Sequence, residues 1–494
     1  MAVRKKSGMA KKRASSEKQK HEAQAMADFI ESWLKKPAVR KMLKFCTKRD
    51  SCGRRIEHAL EMYIGQKPRV CMKCKLAAKM MGSIMGKFLE KSDGDKNTIK
   101  LYLQDPMWRK GLASVLEGIA EWGPAKPFTS YAPFLVVWNT TRNCNLKCRH
   151  CYAYARTKDP NELTDKETIM AVDKMADAGV AFVALSGGEP LIRPNIYSII
   201  DRIRERGMAF SIATNATLLT KEHAKKLMEK NCLFVQVSLD GAKPETHNNF
   251  RGKNAFELTC QGIRNAVAEG LHVGISCTVT QHNYREVRDI IDLAEKLGAK
   301  TFMHYNFIPT GRGTDIIDTD ISPRQREDLL KMLIAESKKR KGLTLLSTAC
   351  QFSRVCLEND AAMIAMTHFD NSMIGKNDQL AVLADVVGGC GTGRLYCALD
   401  YDGKITPCVF IPIELGNIRK DDFLKVWLNS DVLKKIRDRE HFHGRCAKCS
   451  YRNVCGGCRA RAYGYSGDIQ ASDVGCIRNE DELNKLKASS KVKA

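Results

Sequence analysis

Cys144, Cys148 and Cys151 are spaced C-x3-C-x2-C, just after an apolar run. Three thiolates on one short loop can hold three irons of a 4Fe–4S cube. No cysteine close by in sequence supplies a fourth thiolate, so one iron stays open to an external ligand. A structural zinc site, by contrast, closes with four protein ligands. A second group reads Cys390-x6-Cys397-x5-Gly403-x4-Cys408, then Cys446-x2-Cys449-x5-Cys455-x2-Cys458, then Cys476. Those eight thiols suffice for two fully ligated four-iron clusters, with two zinc-ribbon-like sites as the alternative, since C-x2-C pairs serve both. A third group is Cys46-x5-Cys52 with Cys71-x2-Cys74. It suits zinc, a single iron or a further cluster, against buried free thiols. Cys350 and Cys356 could be ligands, but their helical surroundings favour buried free thiols, and Cys232, Cys260 and Cys277 read as small apolar residues.

These groups need a scaffold. From about residue 133 short β-rich runs (134–138, 182–185, 210–213, 234–239, 273–279 and 301–305) alternate with amphipathic helices. Repeated βα units make a parallel sheet with helices outside, and six of them make a partial (β/α)6 TIM-like barrel. Ligands then sit at the C-terminal ends of the strands. The first cysteine triad follows strand one. Ser186-Gly187-Gly188-Glu189-Pro190 ends strand two, Thr214-Asn215 strand three, and Ser238-Leu239-Asp240-Gly241 strand four. Glycines let backbone approach a ligand closely. Glu189 offers a carboxylate to an ammonium group, and Arg251 offers a guanidinium to a carboxylate.

Outside the barrel, residues 26–125 form a basic helical domain with four cysteines. Ile56, Ala59 and Leu60, then Ala77, Met81 and Ile84, then Leu112, Leu116 and Ile119 recur at helical spacing. The barrel takes 130–340, a helical connector 341–387, and a Cys-rich auxiliary-cluster domain 388–480, with disordered tails over 1–25 and 481–494. The fold class is therefore α/β with a helical domain before the barrel and a metal-held domain after it. The net charge is +25, and residues 1–110 hold 28 Lys/Arg against 11 Asp/Glu. Such a field attracts an anionic partner. The N-terminus has no apolar stretch typical of a secretory signal, and no run of about 18 apolar residues occurs, so no membrane span is expected. Clustered cysteines in a long chain of this kind favour metal over disulfides.

C-x3-C-x2-C followed by Tyr152 resembles the radical S-adenosylmethionine (SAM) superfamily. The resemblance implies that the open iron binds SAM, whose one-electron cleavage yields a 5′-deoxyadenosyl radical that abstracts a substrate hydrogen. It implies that Gly187, Gly188 and Glu189 contact the SAM amino group, and that Tyr152, Thr214, Asn215, Ser238, Asp240 and Arg251 complete the SAM pocket. The C-terminal cysteines resemble the SPASM extension, which implies one auxiliary cluster on Cys390, Cys397, Cys408 and Cys458. A second would use Cys446, Cys449, Cys455 and Cys476. Cys455 and Cys458 depart from the common form, with two residues between them instead of three. The cofactors implied are three 4Fe–4S clusters and SAM, with a possible further metal on Cys46, Cys52, Cys71 and Cys74. In sulfatase-maturing members an acid follows the cysteine that Cys408 matches, whereas Val409 stands here. That apolar neighbour and the basic amphipathic helices point to modification of a membrane-lipid alkyl chain. Peptide or protein maturation and tetrapyrrole (haem-pathway) modification are the alternatives; Cys455-Gly-Gly-Cys458-Arg-Ala-Arg-Ala-Tyr463 looks similar to haem-pathway members. A ferredoxin or flavodoxin is the expected electron donor, and the expected location is the cytoplasm with peripheral contact to anionic lipid. Nucleic acid is not expected, because it gives no reason for an open cluster beside a SAM pocket.

Overall fold

A computed structural model describes residue 28 and residues 31–92, 95–359 and 388–488. The tail 1–25, the part of the helical connector over 360–387 and residues 489–494 lie outside the described residues, whereas the start of the tail expected over 481–494 is helical, within Glu480–Ala488.

The basic segment folds into helices Pro37–Cys46, Arg55–Tyr63, Met72–Ser92, Lys96–Gln104 and Pro106–Trp122. Aspartates start the last two. Asp95 accepts from the backbone N–H of Asn97 and Thr98, and Asp105 from that of Met107. The apolar stripes pack on one another: Leu43, Ile56, Leu60, Ala77, Met81, Ile84 and Leu116 are buried in one core. The surface expected to face lipid is thus spent inside the domain. Among the described residues no helix is long and apolar enough to cross a membrane. A short hairpin, β1 (Arg49–Asp50) and β2 (Gly53–Arg54), interrupts the helices.

The six predicted strands form in order: β3 (Leu135–Asn139), β4 (Phe182–Ser186), β5 (Ala209–Thr214), β6 (Phe234–Ser238), β7 (Val273–Val279) and β8 (Thr301–Asn306). All pair parallel, with Asn139 opposite Ser186, so the motif-bearing ends meet at one rim. The sheet runs further than predicted. β9 (Thr344–Ser347), within the stretch expected to be a helical connector, adds parallel to β8. β10 (Tyr396–Leu399), from the Cys-rich domain, adds parallel to β3. β11 (Lys404–Thr406) and β12 (Gly416–Asn417) then extend that edge antiparallel. The C-terminal domain is therefore hydrogen-bonded into the barrel sheet itself.

Side chains complete the joins. Met107 and Trp108 pack against Phe134, Ala181, Phe182, Ala209 and Leu233 at the N-terminal ends of the strands, so the helical domain covers the barrel floor. Arg54 forms an ion pair with Glu117, the two side chains being 6% and 3% exposed. On the other side, Arg461 bonds Asp320 and the Phe307 carbonyl, while Arg326 donates to Asn306 Oδ1 (2.8 Å) and the Gly475 carbonyl (3.2 Å).

Removing one partner of a buried ion pair strands the other charge. Glu117→Ala should lower the unfolding free energy by about 3 kcal/mol. Chemical denaturation followed through Trp108 and Trp122 fluorescence measures it.

Candidate active site

The triad loop leaves β3 at Asn139 and is braced from several sides. Thr140 N donates to the Ser186 carbonyl (2.8 Å), Gly188 N to that of Thr141 (2.7 Å), and Glu189 N to that of Asn143 (2.8 Å). A Cβ on Gly188 would stand 2.0 Å from the Asn143 oxygen, so only glycine admits this approach. Arg312 pins the far side, donating to the Cys148 carbonyl (2.8 Å) and the Ala155 carbonyl (2.9 Å). The three thiols converge closely enough to act on one another electrostatically. Burial pushes Cys144 up to about 12 and Cys148 up to about 11. Three converging, partly dehydrated thiols fit three ligands of a cluster, which would displace those protons.

The three thiols line a partly open cavity of about 430 Å3, together with Gly187, Gly188, Thr214, Asn215, Ser238, Arg251 and Tyr152 among others. Glu189 and Asp240 do not line it. Glu189 is fully buried and accepts from Leu191 N (3.2 Å), Thr214 Oγ1 (2.8 Å) and Asn215 N (2.8 Å). Burial pushes its carboxyl up to about 7. The carboxylate predicted to meet an ammonium group instead ties the end of β4 to the end of β5. Asp240 likewise serves Arg251, accepting from its Nε (2.5 Å) and from Thr278 N (2.7 Å). The pair aims Arg251 Nη1 at Cys148 Sγ, 3.9 Å away. Tyr152 donates to Asn139 Oδ1 (3.1 Å), lies 3.0 Å from Ser186 Oγ, and meets the Phe410 ring edge-on at 4.9 Å.

Phe410 and Val409 bring the C-terminal domain into the cavity wall. Behind them the predicted ligand set changes by one member. Cys350 lies within hydrogen-bonding reach of the Cys390 and Cys458 thiols, and Cys408 feels both Cys458 and Cys390. Cys397 is outside this group. On β10, Tyr396 turns toward Cys408, its hydroxyl 2.9 Å from the sulfur. Strand alternation therefore sends Cys397 to the opposite face, where Arg437 is its charged neighbour. Four buried thiols, Cys350, Cys390, Cys408 and Cys458, fit one auxiliary cluster. Cys446, Cys449, Cys455 and Cys476 line a second, separate hollow and fit another. The short Cys455–Cys458 step works because Gly456 and Gly457 both take positive φ, 70° and 62°. The chain thereby turns Cys455 toward one group and Cys458 toward the other.

In the helical domain Cys52, Cys71 and Cys74 meet, but Cys46 does not join them. Its buried thiol lies 3.7 Å from the Ala77 carbonyl, and Asp50 takes the fourth place instead. Cys232, Cys260, Cys277 and Cys356 are buried, as predicted. Sequence reasoning weighed Cys350 as a ligand but favoured a buried free thiol, since it lies in no spaced motif, and it missed Asp50. It also missed the cavity-facing Arg312, Tyr305 and Gln236.

An open parallel barrel with a thiol triad at one rim and a cysteine-rich C-terminal domain defines a class of radical-generating metalloenzymes. The comparisons agree. The crystal structure of Streptococcus suis SuiB superposes with a TM-score of 0.58 at 18% identity, covering 85% of this chain and 92% of that one. The model of the radical SAM superfamily matches residues 138–294, and that of SPASM, an iron–sulfur cluster-binding domain, matches 390–450. The AdoMet-dependent heme synthase of Methanosarcina barkeri is 35% identical over 352 residues, 70% of this chain and 97% of the relative. The Fe-coproporphyrin III synthase of the same organism is 31% identical over 368 residues, 72% of this chain and 90% of the relative. The chain belongs to the radical SAM superfamily and carries the SPASM extension. It is an enzyme of SAM and iron–sulfur clusters. The membrane-lipid substrate predicted from the basic stripes finds no support in these relatives or in the buried stripes.

Two outcomes are expected. Cys350→Ser should lose up to about four irons per chain whereas Cys397→Ser keeps its iron, as metal analysis of anaerobically purified protein will read. Glu189→Gln puts an amide N–H against a backbone N–H and should weaken SAM binding about tenfold, measurable by equilibrium binding.

Proposed function

We propose that this enzyme directs a SAM-derived radical at a carboxylate-bearing tetrapyrrole held in the 430 Å3 cavity. The observation that carries the reading is the match to a heme synthase across 97% of that relative's length. The cavity chemistry supports it. Its walls are largely apolar, with Val137, Ala184, Phe234, Met303, Val409 and Phe410 suited to a flat macrocycle. Three of its buried polar atoms have no protein partner: Arg312 Nη2, Asn306 Nδ2 and His150 Nδ1. Buried donors are rarely left unpaired. Turned toward the cavity that their residues line, Arg312 Nη2 and Asn306 Nδ2 would donate to an anionic substrate group.

Three 4Fe–4S clusters belong to this reading: one on Cys144, Cys148 and Cys151, one on Cys350, Cys390, Cys408 and Cys458, and one on Cys446, Cys449, Cys455 and Cys476. When bound, the first of these and SAM supply reductive cleavage to a 5′-deoxyadenosyl radical and hydrogen-atom abstraction. The chain's own residues bind and orient. Gly187 and Gly188 offer backbone to the SAM amino group. Arg251, held by Asp240, would take the SAM carboxylate, and Thr214, Asn215 and Ser238 would supply short polar contacts. Tyr152 and Phe410 pack edge-on in the cavity wall. Tyr305, hydrogen-bonded to Gln236 at 3.0 Å, stands in the field of Cys408 and links the cavity to the first auxiliary group. We also propose a small acidic electron carrier, a ferredoxin or flavodoxin, as donor. The hollow holding Cys446, Cys449, Cys455 and Cys476 is lined by Arg445, Lys448, Arg452, Arg478 and Lys485 against Asp473, Asp481 and Glu482, a cationic excess that suits an acidic partner.

The test is anaerobic turnover of reconstituted enzyme with SAM, dithionite and Fe-coproporphyrin III. The expected result is 5′-deoxyadenosine release coupled to a mass change in the tetrapyrrole, both lost in Cys148→Ala. Release of 5′-deoxyadenosine with the tetrapyrrole unchanged, together with modification of a peptide substrate, would overturn the substrate assignment.

A further inference from the structure

We propose that Asp50, Cys52, Cys71 and Cys74 bind a single zinc ion, which fixes the hairpin that docks the helical domain on the barrel. One ligand atom from each residue lies within 4.8 Å of all the others. No other set of three or more His, Cys, Asp or Glu among the described residues is that close. Tetrahedral zinc–sulfur bonds of about 2.3 Å put thiolates roughly 3.8 Å apart. Cys71 Sγ lies 3.6 Å from Cys74 Sγ and 3.8 Å from Asp50 Oδ2. This shell suits one tetrahedral ion. None of the three thiols is in a disulfide, and an odd number could not pair completely.

The local fold is already arranged for such an ion. Asp50 ends β1, and Cys52 lies in the turn before β2. Cys71 and Cys74 stand at the start of helix Met72–Ser92, where exposed N–H groups and the helix dipole favour thiolates. Cys71 N points at Cys52 Sγ (3.4 Å), and Cys52 N donates to Asp50 Oδ1 (2.9 Å). Arg55 Nε donates to Asp50 Oδ2 (2.6 Å), and His58 Nε2 lies 2.7 Å from the Cys52 carbonyl. A carboxylate has about four acceptor positions, so these bonds leave Asp50 lone pairs for a metal. Three thiolates and a carboxylate are a borderline-soft set that zinc accepts without a geometric penalty. Arg55, paired with Asp50, lies beside the resulting negative charge.

The hairpin has two residues per strand, and a two-stranded hairpin is marginal by itself. Yet it carries the docking contacts. Arg49 donates to the carbonyls of Asp177 (2.8 Å) and Ala178 (3.2 Å), at the end of the barrel helix Asp165–Ala178. Arg54 reaches Glu117 and covers Gly179, where a Cβ would meet its Nη1 at 2.5 Å. An ion tying this turn to a helix of 21 residues gives the hairpin a rigid anchor.

Metal analysis of full-length, anaerobically purified protein with its clusters in place tests the site. About one zinc per chain is expected, and Cys74→Ser should reduce it at least fivefold, about 1 kcal/mol or more of binding, with iron per chain unchanged. Cys46→Ser should keep its zinc. Protein grown with cobalt should show thiolate-to-cobalt absorption, which does not depend on any variant folding. Zinc-free wild type without that absorption, iron at the site in place of zinc, zinc retained in Cys74→Ser, or equal loss in Cys46→Ser would each overturn the proposal.

Discussion

The site depends on how close the triad loop comes to the end of β4. Backbone donors at Thr140, Gly188 and Glu189 clamp the loop to that strand end within 2.7–2.8 Å. Such contact leaves no room for a side chain at Gly187, where a Cβ would stand 2.5 Å from the Thr141 oxygen, or at Gly188. A flexible loop with three cysteines would lose much conformational entropy on gathering them around a metal group. Here the barrel rim has already met most of that cost. Glu189 continues the brace by collecting donors from the end of β5. A carboxylate spent on structure explains why the neighbouring backbone is free to face a ligand.

The same logic fastens the C-terminal domain. A cysteine-rich segment with little apolar surface cannot hold itself against the barrel. β10 solves this by joining β3 in parallel, and Asp400 at its end accepts from Asn139 Nδ2 (2.7 Å). Asn139 in turn accepts from Tyr152. One hydrogen-bonded chain thus runs from the auxiliary domain to the residue after the triad. Buried arginines do the rest. Arg394 donates to the Cys390 carbonyl, and Arg461 ties Asp320 to the helix that follows Cys458. Buried guanidiniums are costly unless paired, so Arg461, bonded to Asp320 and the Phe307 carbonyl, favours one relative placement of the two halves.

What the sequence made legible follows from range. The triad, Gly187-Gly188 and the strand-end polar residues are local signals, because each combines a chemical group with the end of a periodic run. Cys397 misled because spacing alone carries no information about which face of a strand a residue takes; alternation beside Tyr396 decides it. Cys350 was hidden because its partners lie 40 or more positions away and meet it only when helix Gln351–Glu358 packs under the auxiliary domain. β9 and β10 are four residues each, too short to show a period. The carboxylates of Glu189 and Asp240 were read as reaching outward, whereas burial and hydrogen bonding turned both inward. The amphipathic stripes of the helical domain were equally ambiguous: an apolar face looks the same whether a bilayer or another helix covers it.

That ambiguity resolves into a use for the helical domain. Barrel interiors are ordinarily filled by layers of bulky branched side chains. Here the inward positions include Ala184, Ser211, Ala213 and Ser276, and the cavity reaches down to Phe182, Leu233 and Phe234 near the floor. A hollow of this depth needs a seal, since a radical intermediate is protected only while solvent and side reactions are excluded. Met107 and Trp108 pack behind Phe182 and Leu233 and supply one. Gly111 permits it, for a Cβ there would collide with the Phe134 ring at 2.5 Å. The helical domain therefore acts from beneath: its stripes pack on one another, while Met107 and Trp108 close the lower end of the chamber whose upper end holds the triad.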